Sequence, residues 1–533
     1  MANILKRLFA GALLLAVALP AVQAEEPVKV RFDASEHHQT IHSFGASDCW
    51  RMQYFGENWP VGKRNEVADL LFSTETDRSG NPKGIGLTLW RYNIGSGSYE
   101  AGKQSGVVNY LRRTECFLNA RGQWDWSKQK GQRWFIDAAR KRGVKYVLGF
   151  SITAPPFMTR NGMCRATEGD TPRINLQEDK FDDYARFMAE VCKKLSLDYL
   201  SPINEPQWDW SGTSQEGTPA TNEDCYRLIA ALDKYMAGGK TKIVFGEAAD
   251  IRYLYRKTAD KSQRDNQIGE LFAADSGKSI LAFESVVPVV TGHSYWSTFP
   301  IDTMIRTRRE LAAEIAGKLP GNVSYWQTEY CPMEKNRDNP QGGRGRDLGM
   351  NTALYYLRVI HHDLTVCNAS SWQAWTALSE WNYKDALIYV DDGIQASGAN
   401  SLKDEMVRSC MYDGEIRTSK YLWALGNFSR FVRPGMVRIG RTDEADYSKK
   451  QAYGLMASAY RSDDGKQVSV VFINYGETDV PVELSVDNLP VQPDQWKMFV
   501  TSETSDLNFA GEMGCSIVIP GRSVVTMTTL GNL

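Results

Sequence analysis

Beyond its first two dozen residues the chain has no run of 18 or more apolar residues, which excludes a membrane-spanning helix as an organising element. It has no dominant charge either. Lysine and arginine number 62 against 64 aspartates and glutamates, and no basic cluster stands out. Neither nucleic acid nor an anionic membrane surface is therefore an expected partner. None of the nine cysteines falls in CxxC spacing, which argues against a zinc knuckle. The six histidines form no HExxH pair, and no Walker loop occurs. The glycine-rich GIGLTLWRYNIGSGS lacks GxGxxG spacing at a strand-to-helix turn, so no metal or redox cofactor is implied. What the chain has in quantity is aromatic surface, with fifteen tryptophans and twenty-four tyrosines. Flat apolar faces with polar rims suit sugar rings, although a large core uses the same residues for packing. A neutral polysaccharide or oligosaccharide fits this balance better than an ionic partner.

The chain opens with Lys6-Arg7, an apolar stretch from Leu8 to Leu19, and Val22-Gln23-Ala24 before Glu25-Glu26. This is the layout of a cleaved secretory signal over residues 1–24, and it implies export to a periplasm or beyond the cell. No cysteine stands at the cleavage point, which argues against a lipid-modified start. Export permits disulfides without identifying them, and an odd cysteine count leaves at least one thiol unpaired within the chain.

Along the mature sequence short β-like runs alternate with helical patterns, the signature of βα units around a parallel sheet. Eight candidate strands lie near Ile41–Gly45, Ile85–Tyr92, Lys145–Ser151, Tyr199–Ile203, Thr241–Gly246, Val286–His293, Val323–Thr328 and Ser370–Trp375. Between them Phe181, Tyr184, Phe187, Met188, Val191 and Leu195 recur on one helical face, and a further helix is expected to start near Thr221-Asn222. After about residue 425 the period changes to two: Val480, Val482, Leu484 and Val486 alternate with polar positions, and Val468–Ile473 and Ser523–Leu530 read as strands. The expected fold is α/β, a (β/α)8 TIM barrel over 41–420 with a fused β-sandwich side domain over 421–533. A strand within 25–40 joins the sandwich. The Asn336–Arg346 stretch, rich in arginine and glycine, reads as a solvated, mobile loop.

Functional groups of such a barrel come from the C-terminal ends of its strands. Glu205, in SPINEPQWDW, follows the fourth candidate strand, and Glu329, in SYWQTEYCP, ends the seventh. Two carboxylates facing across a barrel mouth are what cleavage of a glycosidic bond requires. One protonates the departing oxygen while the other attacks or stabilises the anomeric carbon. At strand two Arg91 is placed to pair with Glu329, and Tyr295 after strand six to donate to the same group. Asp48 is a candidate acceptor for sugar hydroxyls, with Trp50, Trp208 and Trp372 as a platform. His293 reads first as a core histidine at a strand end and second as a substrate ligand.

Asn204-Glu205-Pro206, Glu329 and the segment KYLWALGNFSRFVRPGMVRIG, taken in this order, resemble glycoside hydrolase family 30. The resemblance implies a retaining enzyme with Glu205 as acid/base, Glu329 as nucleophile and Asn204 at the sugar 2-hydroxyl. Within that family NEPQWDWSGTSQEGTPAT is most similar to the endo-β-1,6-galactanases, through Gln207-Trp208 and Gln215-Glu216-Gly217. Relatives acting on β-1,6-glucan, or as β-xylosidases, β-fucosidases or glucuronoxylanases, share the barrel and both glutamates. A secreted sugar-binding protein without hydrolytic activity is the alternative of another class.

Overall fold

The computed structural model describes residues 26–212, 215–393, 410–442 and 448–530; the expected signal segment lies outside them. In chain order, strand β1 (Val28–Thr40) is followed by eight strands that close into a parallel barrel. These are β2 (Ser43–Ser47), β3 (Leu89–Ile94), β4 (Tyr146–Ser151), β5 (Tyr199–Ser201), β6 (Lys242–Ala248), β7 (Val286–His293), β8 (Ser324–Glu329) and β9 (Ala369–Ala374). Closure is made by β2 on β9, with Ser43 opposite Ser371 and Phe44 opposite Trp372. Residues Leu89, Leu148, Phe150, Val244 and Trp326 fill the interior as one apolar cluster. The larger core lies outside the strands, between them and their helices.

The helices follow the expected periodicity. Phe181–Leu195 buries Phe181, Tyr184, Phe187, Met188 and Val191 on one face. Asn222–Met236 starts where Thr221 caps it, the Thr221 side chain accepting from the Asp224 N–H while Asp224 returns a bond to the Thr221 N–H. After β6, however, the chain makes only short 3-10 and π-helical turns between Ile251 and Ala282. A small three-stranded sheet, β10 (Thr376–Ser379), β11 (Ala386–Asp391) and β12 (Glu415–Thr418), follows the barrel and was not expected.

The side domain comprises β13 (Val437–Arg441), β14 (Leu455–Arg461), β15 (Val468–Asn474), β16 (Val480–Asp487), β17 (Trp496–Ser502), β18 (Ser505–Met513), β19 (Ser516–Ile519) and β20 (Ser523–Thr528). With β1 they form one nine-stranded sheet, ordered β18-β17-β20-β15-β14-β13-β1-β16-β19 and antiparallel except for β1 against β16. Trp496 and Met498 near one edge share a buried cluster with Ile517 and Ile519 at the other, so the sheet folds over a single core. Its continuity runs through β1, whose register shifts near Asp33 and His37 let one strand serve both halves. The Asn336–Arg346 stretch is tied down, correcting its reading as a mobile loop. Arg346 pairs with Asp391 at 2.9 Å, and Asn339 is buried with its amide on the Pro332 carbonyl. Cys49, Cys116, Cys164, Cys192, Cys225, Cys331 and Cys367 are buried free thiols, and Cys515 is an exposed one.

Candidate active site

Glu205 and Glu247 stand at the C-terminal ends of neighbouring strands with φ of +47° and +43°. Left-handed backbone at a residue other than glycine costs on the order of 1–3 kcal/mol, so the surroundings hold both in place. The Glu205 N–H donates to the Glu247 carbonyl at 3.0 Å. The Glu205 carbonyl accepts from Trp208 N–H and from the Trp210 indole, at 3.0 and 3.2 Å. Gly217 lies so close to Trp210 that a Cβ there would meet the ring at 2.2 Å.

Arg91 is fully buried and organises the mouth. One terminal nitrogen donates to Glu329 Oε2 at 2.7 Å; the other reaches Glu247 Oε2 at 2.9 Å and Asn204 Oδ1 at 3.0 Å. Its guanidinium lies 3.7 Å from the centre of the Phe150 ring. With the Asn204 carbonyl turned to Arg91, the amide nitrogen is left for a ligand. Tyr295 donates to the second oxygen of Glu329 at 3.1 Å. His293 bridges the acids, with Nδ1 2.8 Å from Glu205 Oε1 and Nε2 3.2 Å from Glu247 Oε2.

Electrostatics divides these groups into distinct roles. Burial pushes Glu205 upward and the Glu329 charge adds to this, while His293 works against it. Burial would lower His293, but Glu329, Glu205 and Glu247 together hold it up at about 10. Burial would raise Glu247, but the charges of Arg91 and His293 bring it down to about 2. With Glu205 carrying its proton, two carboxylates face two cations and the buried set is neutral. His293 then donates to Glu205 Oε1, which leaves the acidic hydrogen on Oε2. The donor atoms of Glu205, His293 and Glu329 fall within 4.8 Å of one another, a spacing that would also admit a metal ion. A histidine held as imidazolium between carboxylates has no lone pair to give, so the set favours a proton over a cation.

Four expected residues are placed differently. Trp372 is fully buried and donates its indole N–H to Asp363 at 2.9 Å. It lies on the outward side of β9 opposite Phe44, so it packs the barrel wall and offers no sugar platform. Asp48 is also fully buried, with one oxygen on Asn93 N–H and the other on the Gln132 amide, both at 2.9 Å. It braces the second strand, and burial pushes it up to about 7. Gln207 and Glu216, which carry the galactanase resemblance, are scaffold. Gln207 holds the Arg264 carbonyl at 2.8 Å, and one Glu216 oxygen accepts from Ser96, Ser98 and Thr114 at 2.5–2.6 Å.

Trp50 and Trp208 do reach the rim, each with a partner that sequence reasoning missed. Trp50 meets Trp375 edge-on at 5.4 Å, and Trp208 stacks on Trp296 at 5.0 Å and 12°. Glu247 was missed as well, although a carboxylate closing the fifth candidate strand obeys the same rule that selected Glu205 and Glu329. An open cavity of about 980 Å³ lies at the opposite pole, around His42, Tyr146, Tyr199 and Trp326, away from the acids.

Residues 27–389 match the sequence profile of O-glycosyl hydrolase family 30. The chain belongs to that family. Among solved structures, this family 30 chain is 38% identical to an exported protein from Bacteroides fragilis, with a TM-score of 0.85 over 94% of this chain and all of that one. Family 30 xylanase C from Talaromyces cellulolyticus shares the fold at 20% identity and a TM-score of 0.63, covering 94% and 99% of the two chains. An endo-β-1,6-glucanase does so at 17% and 0.63, covering 94% and 93%. Family 30 membership supports glycosidase chemistry here. No helix among the described residues is long and apolar enough to cross a membrane.

Proposed function

We propose that the protein is an exported retaining glycosidase that cuts β-1,6-linked galactan by double displacement. The observation that supports double displacement is the spacing of Glu205 and Glu329, whose nearest oxygens lie within 4.8 Å across one buried site, while galactan as the substrate rests on the resemblance of the 204–221 segment alone. That gap suits direct attack by a carboxylate, for which carboxyl groups about 5 Å apart are typical, and is too small for an intervening water.

In the first step Glu329 bonds to the anomeric carbon as the bond to the leaving oxygen breaks, and that oxygen takes the proton of Glu205. Arg91 and Tyr295 each hold one Glu329 oxygen and so fix the line of attack. The Asn204 amide is the donor suited to the 2-hydroxyl, where charge develops. Once Glu329 is an ester its influence on Glu205 is gone, and Glu205 as a carboxylate takes a proton from water. The water oxygen bonds to the anomeric carbon and frees Glu329.

The test pairs β-1,6-galactan with β-1,6-glucan, substrates whose sugars differ at one carbon, and counts reducing ends. Galactan is expected to be cleaved, with the first product seen by NMR in the β configuration. Glu329→Ala should abolish cleavage. Glu205→Ala should lose about 10²–10⁴-fold on ordinary glycosides and far less where the leaving group needs no proton, with rescue by azide. Preference for glucan would move the assignment to the glucanases. Binding without any reducing ends would leave a sugar-binding protein, and undiminished activity in Glu329→Ala would remove the nucleophile.

A further inference from the structure

Trp296 is the most exposed tryptophan among the described residues, at 39%. It also sits at φ +52°, in backbone that is costly for an indole-bearing residue. Apolar exposure and strain at one position are two penalties that folding does not explain. The Trp296 backbone is held from two sides: the Glu334 carboxylate accepts its N–H, and Arg252 donates to its carbonyl at 3.2 Å. The second oxygen of Glu334 is buried and meets no partner in the protein, and burial pushes this acid up to about 7. So anchored, the Trp296 ring covers Trp208, three residues beyond Glu205, and lies 5.7 Å from the ring of Tyr295.

The placement around the barrel gives this indole a side. Trp208 follows β5 and Trp296 follows β7, whereas Trp50 and Trp375 follow β2 and β9, which are adjacent on the far side. Aromatic surface therefore flanks the two catalytic carboxylates on both sides. We propose that Trp296 stacks the sugar on the leaving-group side of the cleft and that Glu334 is its positioning residue, so that the enzyme cuts within chains. This rests on the assignment of Glu205 as the acid, since the group that protonates the leaving oxygen marks the side from which the aglycone departs.

The test compares β-1,6-linked tetrasaccharides of galactose and glucose with the matching β-glycosyl fluorides, whose leaving group reaches no stacking surface. Trp296→Ala should lower kcat/KM on the cleaved tetrasaccharide at least tenfold, mainly through KM, and leave the fluoride within twofold. Trp296→Phe should recover most of the loss. Glu334→Ala should follow Trp296→Ala in this split, and Glu334→Gln, which keeps an acceptor, should recover at least half. Wild-type digests of polymer should release internal fragments early. Equal losses on both substrates, no loss on either, or release of single sugars only would overturn the proposal while leaving the glycosidase reading intact. Wild-type protein that hydrolyses neither tetrasaccharide nor fluoride would remove both.

Discussion

His293 has both ring nitrogens committed to carboxylates, and its charge is set by them rather than by its own burial. That makes the pH profile a reporter of the whole group. In the proposed mechanism the alkaline limb of kcat/KM reads loss of the Glu205 proton. His293→Gln removes a cation that lowers Glu205, so the limb should move to higher pH while the rate falls about 10–100-fold. Glu247→Gln removes an anion and leaves Arg91 and His293 under-compensated, so the limb should move to lower pH. Profiles of both variants decide the matter; shifts in the same direction would show that the charges do not act as one set. Stability follows the same logic. Because His293 is raised from 6.5 to about 10, its contribution is complete below pH 6.5 and lost as pH rises through 10. Urea midpoints of wild type should fall across that window, and those of His293→Gln should fall less.

At the level of elements, the eight barrel strands are legible because a parallel strand buried on both faces must be an unbroken β-rich run. Helix Asn222–Met236 is legible because Thr221 and Asp224 write its capping box into the sequence. What is not legible is which way a side chain points when both directions are buried. Trp372 and Trp375 look alike in SSWQAW, yet Trp372 is on the parity of Phe44, facing the helices, while Trp375 lies past the strand end at the rim. Glu247 is legible by position, directly after the candidate strand Thr241–Gly246, but GEAAD carries no flanking motif like the Asn204–Pro206 triplet to single it out. The distinction is measurable. Trp372→Ala should cost about 3–5 kcal/mol of stability, since it empties a core site and strips Asp363 of a donor. Trp375→Ala should cost less, since Trp375 is only partly buried where it packs against the barrel clusters, and should raise KM. Comparable destabilisation by the two would mean that Trp375 is also core.

On the scale of the whole molecule, barrel and sheet are joined by covalent order as well as by packing. Strand β1 sits inside the sheet between β13 and β16, and two residues later the chain enters the barrel as β2. The opposite connection is the helix Lys420–Ser429, buried on every side except at Lys420. Its Tyr421 stacks on Tyr356 of a barrel helix at 3.6 Å between ring centres, and its Phe428 meets Phe44 of β2 at 6.0 Å. On the other face Asn427 donates to Thr501 and accepts from Thr526, both at 2.9 Å, which binds the helix to β17 and β20. A helix that is core to both parts couples their unfolding, so calorimetry should show one transition at which activity is also lost. Asn427→Leu removes the side-chain bonds to Thr501 and Thr526, whose hydroxyls keep only their bonds to the carbonyls of Trp423 and of residue 427, and should cost about 2 kcal/mol. If the joint works as described, the midpoint of heat inactivation moves down by the same number of degrees as the calorimetric midpoint. A sheet that melts early in this variant, while the barrel keeps its activity to the wild-type temperature, would show that the two parts fold independently.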